Sequence, residues 1–438
     1  MENGHGVPAM MADLLPLAAL GLILAAWAAV LTVAAPRTVL YLLIAFSPTQ
    51  FLFIPVSDFF LSPADGMEAV SVFALVLRLA ALRRAAWHAI VQHRFLILML
   101  VSYLIGFVVL EVSSRTIVRL PMAAVVSVLA VELLTTRRHL ARAATALVIA
   151  GVVDAGYGLY FIARGTPLHP TRFSGMSDVN FSAMVMITSA AVALAQISRT
   201  RHPFRLMRPG TLGSLALATL SQMGLLALIG TWIAVLRRFV SRSNKIRIVT
   251  AIVVLLLLAV ATPPVRDRIL ARNVRAVQAD GVPRNSTDIR WLVQQSAWDG
   301  FLTSPVFGLG FFKFVEYSTT NPAIHAMTGG LGFPTHNTYL EILAEGGIIT
   351  FALFLLHWRQ YLARIGKTIR VAARDRDVLA GACLAGLPVV LVCALLANVL
   401  LVYSFWAVCG VSLACLNLLR REARERRAVA GAPAESLP

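Results

Sequence analysis

The sequence predicts an all-α membrane protein, a polytopic transmembrane helical bundle of about 12–13 spans with one large structured loop on its outer face. Three observations predict it. The 438 residues are 58% hydrophobic and only 14% charged, with a mean hydropathy of +0.77, whereas soluble domains carry about 25% charged residues. Runs such as LLPLAALGLILAAWAAVLTVAA (14–35) and AIVVLLLLAVA (251–261) reach or approach the length that crosses about 30 Å of hydrocarbon. These runs lack the polar–apolar alternation of barrel strands, and the bilayer admits only helices or closed barrels.

In chain order, spans are expected near 14–35, 38–56, 67–82, 95–111, 118–134, 143–163, 181–197, 208–220, 223–239, 246–262, 338–357, 378–397 and 399–418. The twelve residues before Asp13 contain Glu2 and neither Lys nor Arg, so 14–35 is expected to be a retained span, not a cleaved signal. Stretch 208–239 reads either as one long helix or as two short ones broken at Ser221–Gln222. Its flanks SRTRHPFRLMR (198–208) and RRFVSRSNKIR (237–247) are both strongly basic. Two spans keep both flanks cytoplasmic, and one does not. The same rule makes 83–94, 135–142, 358–376 and the tail 420–427 cytoplasmic.

The outer segments are then 57–66, 112–117, 164–180 and 263–337. The last has 75 residues (337 − 263 + 1), and a loop that long is usually functional. Within it, 264–279 places Val265, Ile269, Leu270, Val274 and Val277 on one stripe among arginines, an interfacial amphipathic helix. A second helix, 286–302, can be capped by Ser286 or Thr287 and buries Ile289, Leu292, Val293 and Ala297. SPVFGLGFF (304–312) follows. Its Gly308 and Gly310 suggest tight backbone that offers N–H groups to an anion.

The formal charge of +18 does not point to nucleic acid, because Lys and Arg sit in short segments between apolar spans. The four cysteines, Cys383, Cys393, Cys409 and Cys415, fall in the last two spans without metal-ligand spacing, as buried small residues do. There is no phosphate-binding loop, dinucleotide fingerprint or nucleophile elbow.

What stands out is THNTYLEILAEGG (335–347) at the mouth of a span. His336 reads either as an interfacial histidine or as a general base, for which its ordinary pKa near 6.5 is suited. Asn337 adjoins it. Thr338 and Glu341 have the spacing of a capping box. Glu345, one turn deeper on the same face, calls for a polar cavity. Arg172, in a loop before a span that Asp178 or Asn180 can cap, and Arg290, beside Trp291, read as interfacial cations or as phosphate ligands, a task suited to the guanidinium fork. Arg115 and Arg119 can join them. Asp154 is the clearest intramembrane charge, a functional candidate or a bond to a neighbouring helix.

The order of these motifs is RFSGMSDVN (172–180), a basic loop, DIRWLVQQSAWDGFLTSPVFGLGFFKF (288–314), then THNTYLEILAEGG. It resembles the bacterial O-antigen ligase and O-antigen polymerase superfamily, with motifs over roughly 170–357 and with the span pattern over the whole chain. The resemblance implies a GT-C-like glycosyltransferase of the bacterial inner membrane with its site facing the periplasm. It implies no cofactor and no metal ion. The donor would be an undecaprenyl-diphosphate-linked glycan, and the acceptor lipid A–core, another lipid-linked repeat unit or a protein. His336 would be the essential histidine, and Arg172 and Arg290 would grip the diphosphate. One departure is SQMG (221–224), where Gln222 stands in place of a common arginine: either another arginine, such as Arg115 or Arg119, supplies that charge, or this chain grips its donor differently.

The expected organisation is therefore 1–262 transmembrane helices, 263–337 the large periplasmic loop, 338–418 C-terminal transmembrane helices and 419–438 a basic, disordered cytoplasmic tail. The alternative is a secondary transporter or flippase of polysaccharide intermediates, motivated by the span count and Asp154. The absence of a sequence repeat and the gathering of polar residues outside argue against it.

Overall fold

The computed structural model describes residues 35–48, 54–56, 59–61, 83–110, 119–165, 179–196, 212, 286–374, 377–395, 397–400 and 402–429. The helices are α1 (Pro36–Phe46), α2 (Arg83–Leu110), α3 (Arg119–Leu133), α4 (Arg137–Ala163), α5 (Val179–Gln196), α6 (Ser286–Thr303), α7 (Phe314–Ser318), α8 (Pro322–Thr328), α9 (Thr338–Arg374), α10 (Val378–Ala394) and α11 (Tyr403–Val429). The expected spans near 14–35, 67–82, 208–220, 223–239 and 246–262, and the amphipathic helix 264–279, lie outside the described residues.

Among the described residues, three helices are long and apolar enough to cross a membrane: Arg137–Ala163, Thr338–Gln360 and Tyr403–Arg426. Shorter apolar helices are Pro36–Phe46, His93–Ile105, Ala123–Leu133, Asn180–Gln196 and Val378–Ala394. Two expectations are corrected. The span drawn over 38–56 is only partly helical: α1 ends at Phe46, and β1 (Ile54–Val56) pairs antiparallel with β2 (Phe59–Leu61), Ile54 opposite Leu61. The basic segments 83–94 and 358–376 are not simple loops, because α2 and α9 run through most of them. Alanine, leucine and arginine are good helix formers, so a helix continues where hydropathy ends.

The bundle core joins α1, α3, α4, α5, α10 and α11, with α2 against α9. Lipid is as apolar as leucine, so close backbone approach and buried hydroxyls hold such helices together. Ser189 on α5 donates to the Leu147 carbonyl of α4 (2.6 Å), Ser412 on α11 donates to the Cys383 carbonyl of α10 (2.9 Å), and the Ser47 and Ser404 hydroxyls meet at 2.7 Å. Asp154 is fully buried on α4. At one end of the bundle, Arg137 grips Glu422 with two nitrogens (2.7 Å each) and Asp377 (2.9 Å). Asp377 also caps α10 through the Ala380 N–H (3.1 Å).

Candidate functional site

The local structure around His336 is built by its neighbours. Thr335 and Thr338 are fully buried. Thr335 Oγ1 donates to Asn398 Oδ1 (2.7 Å) and accepts the Asn337 N–H (3.3 Å). Thr338 Oγ1 donates to the Ala397 carbonyl (2.6 Å) and accepts the Val399 N–H (2.9 Å). Residues 335–338 are thus stitched to the turn between α10 and α11. His336 stands between these anchors in left-handed backbone, φ 51°, which a non-glycine residue adopts at a cost and which concentrates at functional sites. Its ring meets the edge of Phe333 at 5.2 Å between centroids.

The helix that follows is capped, but not as the spacing of Thr338 and Glu341 suggested. Asn337 is the cap: its Oδ1 accepts the N–H groups of Tyr339 (3.0 Å) and Leu340 (3.2 Å). Thr338 is occupied by the 397–399 turn, and one Glu341 carboxyl oxygen is buried without a hydrogen-bond partner among the described residues. Asparagine competes well for this role because its carbonyl reaches two orphan amides. Asn337→Ala is therefore expected to lower stability by about 1 kcal/mol, while Glu341→Gln leaves the thermal midpoint in detergent unchanged. A fall with Glu341→Gln and none with Asn337→Ala would reverse the assignment.

Deeper in α9 the helix breaks. Gly347 has φ 65°, ψ −172°, which frees carbonyls that a continuous helix would bond internally. Segment 304–310 takes them. The Leu309 N–H donates to the Ala344 carbonyl (2.8 Å), the Gly310 N–H to the Glu345 carbonyl (3.0 Å), and the Ile348 N–H to the Pro305 carbonyl (2.9 Å). The Gly308 N–H donates to the Ser304 carbonyl (2.8 Å). The reading of Gly308 and Gly310 as anion donors is thereby corrected: their N–H groups are engaged by backbone. The smallness of Gly308 serves close approach, because a Cβ there would overlap the Glu345 carbonyl.

That stitch sets up a cavity of about 320 Å³. Its polar lining is His336, Glu341, Glu345, Asn180 and Asn398, and its apolar lining is Phe181, Phe312, Val315, Pro334 and Ala397. The volume suits a small-molecule or sugar-sized group. Glu345 is 3% exposed. Its Oε1 accepts the Phe314 N–H (3.3 Å), so backbone dipoles support a carboxyl far from water. The Tyr103 hydroxyl of α2, buried without a hydrogen-bond partner among the described residues, lies within electrostatic reach of both carboxyls.

Of the residues singled out from sequence, the cavity unites His336, Glu341, Glu345 and Asn180. Asn337, Gly308 and Gly310 do not line it; Asn337 caps α9, and the Gly310 N–H bonds to the Glu345 carbonyl. Arg290 is half-buried on α6 and does not line the cavity. Arg119 begins α3. Arg115, Arg172, Asp178 and Gln222 lie outside the described residues. Sequence reading passed over Asn398, Thr335, Phe312 and Gly347. Asn398 carried a usable signal: it is the polar residue at the gap between the last two expected spans.

No curated protein matches the chain. The family model described as O-Antigen ligase matches residues 211–355. That is about a third of the chain, and it includes α6, segment 304–310, His336 and the break in α9. Over those residues the chain is similar to the O-antigen ligase family.

Proposed function

We propose that this protein transfers a saccharide from a polyprenyl diphosphate, undecaprenyl diphosphate in bacteria, to an acceptor sugar hydroxyl on the periplasmic face of the inner membrane. The observation that carries the reading is that the family match and the cavity coincide on His336, in strained backbone between two buried threonines. The acceptor hydroxyl binds in the cavity and its proton passes to the His336 imidazole. Its oxygen bonds to C1 of the donor sugar as the bond from C1 to the phosphate oxygen breaks, and the electron pair leaves with the diphosphate.

Arginines stabilise that growing charge. Arg172 precedes by eight residues the Asn180 side chain that lines the cavity. Arg290 joins it on the diphosphate, and Arg115 or Arg119 supplies the cation missing at Gln222. Lipid A–core, a second lipid-linked repeat unit and a protein remain the three acceptor classes of one chemistry. Membranes containing the full chain, given a polyprenyl-diphosphate saccharide and each acceptor in turn, should yield a lengthened glycan on a gel with one of them. Uptake of a saccharide into vesicles driven by an ion gradient, with no transfer to any acceptor, would overturn the reading in favour of a transporter.

A further inference from the structure

The long loop is not wholly outside the bilayer. Helix α6 buries Val293 and Ala297 in a cluster with Ala344 of α9, flanked by Leu292, Leu309 and Leu340. Ala344 lies six residues inside the membrane-length helix Thr338–Gln360. At 1.5 Å per residue that is about 9 Å past its first residue, and Gly347 is about 14 Å past it. Segment 304–310 bonds to α9 at these depths through the Leu309, Gly310 and Ile348 amides. Whatever faces away from α9 here meets the surroundings of a membrane span.

The outward faces are graded. The upper end of α6 exposes Asp288, and Trp291 follows one turn on; lower down come Trp298 beside Asp299, then Leu302, Val306 and Phe307, all exposed. Val306 and Phe307 sit where the segment is stitched to the break, next to Ile348 and Ile349, which are also exposed. The chain becomes polar again at Lys313 and Glu316, paired at 2.9 Å. Water would be a costly neighbour for so continuous an apolar patch, and tryptophan is the residue of the membrane interface. Irregular backbone at membrane depth requires amides satisfied by protein, which α9 supplies.

We infer that residues 298–311 form a re-entrant element that dips into the leaflet where α9 begins. The Leu302, Val306 and Phe307 side chains contact bilayer acyl chains, continuous with Ile348 and Ile349, and Trp298 lies at the headgroup boundary. This rests on α9 spanning the membrane and is independent of the transfer chemistry.

The test is spin-label depth measurement on the full chain in phosphatidylcholine–phosphatidylglycerol vesicles. The four native cysteines are buried, and unlabelled protein serves as the blank. Nitroxides are placed at Val306→Cys, Phe307→Cys and Glu316→Cys, and relaxation by oxygen, which concentrates in acyl chains, is compared with relaxation by an aqueous nickel chelate. The oxygen-to-nickel ratio should be several-fold higher at 306 and 307 than at 316. Equal ratios at all three sites would overturn the inference, as would exclusion of both reagents with broadening between labels, which signals a second copy over the patch. Leu302→Cys substitutes for a variant that fails to insert.

Discussion

Protein carrying His336→Ala is expected to insert in the membrane in normal amounts yet transfer saccharide about 10²–10⁴-fold more slowly than the parent, the contribution typical of a positioned general base. The reasoning is geometric. The imidazole lines the cavity, and an imidazole can take a proton from a hydroxyl near neutral pH where the neighbouring Asn180 and Asn398 amides cannot. Its position is over-determined from both sides, by Thr335 on Asn398 (2.7 Å) and Thr338 on Ala397 (2.6 Å). Truncation should leave that frame standing. The backbone adds a complication, because φ at His336 is 51° and alanine tolerates left-handed backbone less well than asparagine does. His336→Asn therefore separates the two effects. It keeps the backbone preference and removes the base, so it should melt with the parent and still lose transfer to the same extent. Normal product from either variant, read by gel from membranes with matched protein content, would remove His336 from the chemistry.

The sequence made the architecture legible where one physical signal dominates. Hydropathy marked α4, α9 and α11, because an apolar run long enough to cross hydrocarbon is seldom anything but a span. It also marked the apolar face of α6, since Val293 and Ala297 recur at helical spacing and are buried. It failed where a residue type has two uses. Thr338 and Glu341 had capping-box spacing, yet Thr338 answers to the Val399 and Ala397 backbone 59 to 61 positions away, a partner that local spacing cannot reveal. Gly308 and Gly310 resembled an anion nest, but the Gly308 amide bonds to the Ser304 carbonyl, and the Gly310 amide bonds to the Glu345 carbonyl next to the break of α9 at Gly347. Glu345 was readable as a carboxyl needing a polar neighbour. Which neighbour was not, since the Phe314 amide arrives from 31 residues upstream. Each failure is a long-range backbone contact that side-chain patterning does not encode.

Gly347→Val is expected to lower stability by about 4 kcal/mol or more, the range reserved for strain and backbone overlap at a special position. Two costs combine. The residue sits at φ 65°, where a β-branched side chain is a genuine outlier. Its Cβ would also overlap the Val306 carbonyl oxygen and stand 2.6 Å from the Gly308 amide nitrogen, and neither is the free end of a flexible chain. Gly165→Ala is the control: φ there is 71°, and nothing lies within 4 Å of the added carbon, so it bears the conformational cost alone, about 1 kcal/mol. Thermal unfolding in detergent compares them, and equal midpoints for the two variants would refute the account. Where Gly347→Val still inserts, 304–310 can no longer bond to Ala344 and Glu345. Phe312 and Phe314 follow that segment directly, so the amide on Glu345 and the aromatic wall of the cavity are displaced with it. Transfer should then fall in step with stability although Gly347 does not itself line the cavity, because the break in α9 and the shape of the cavity are one structure.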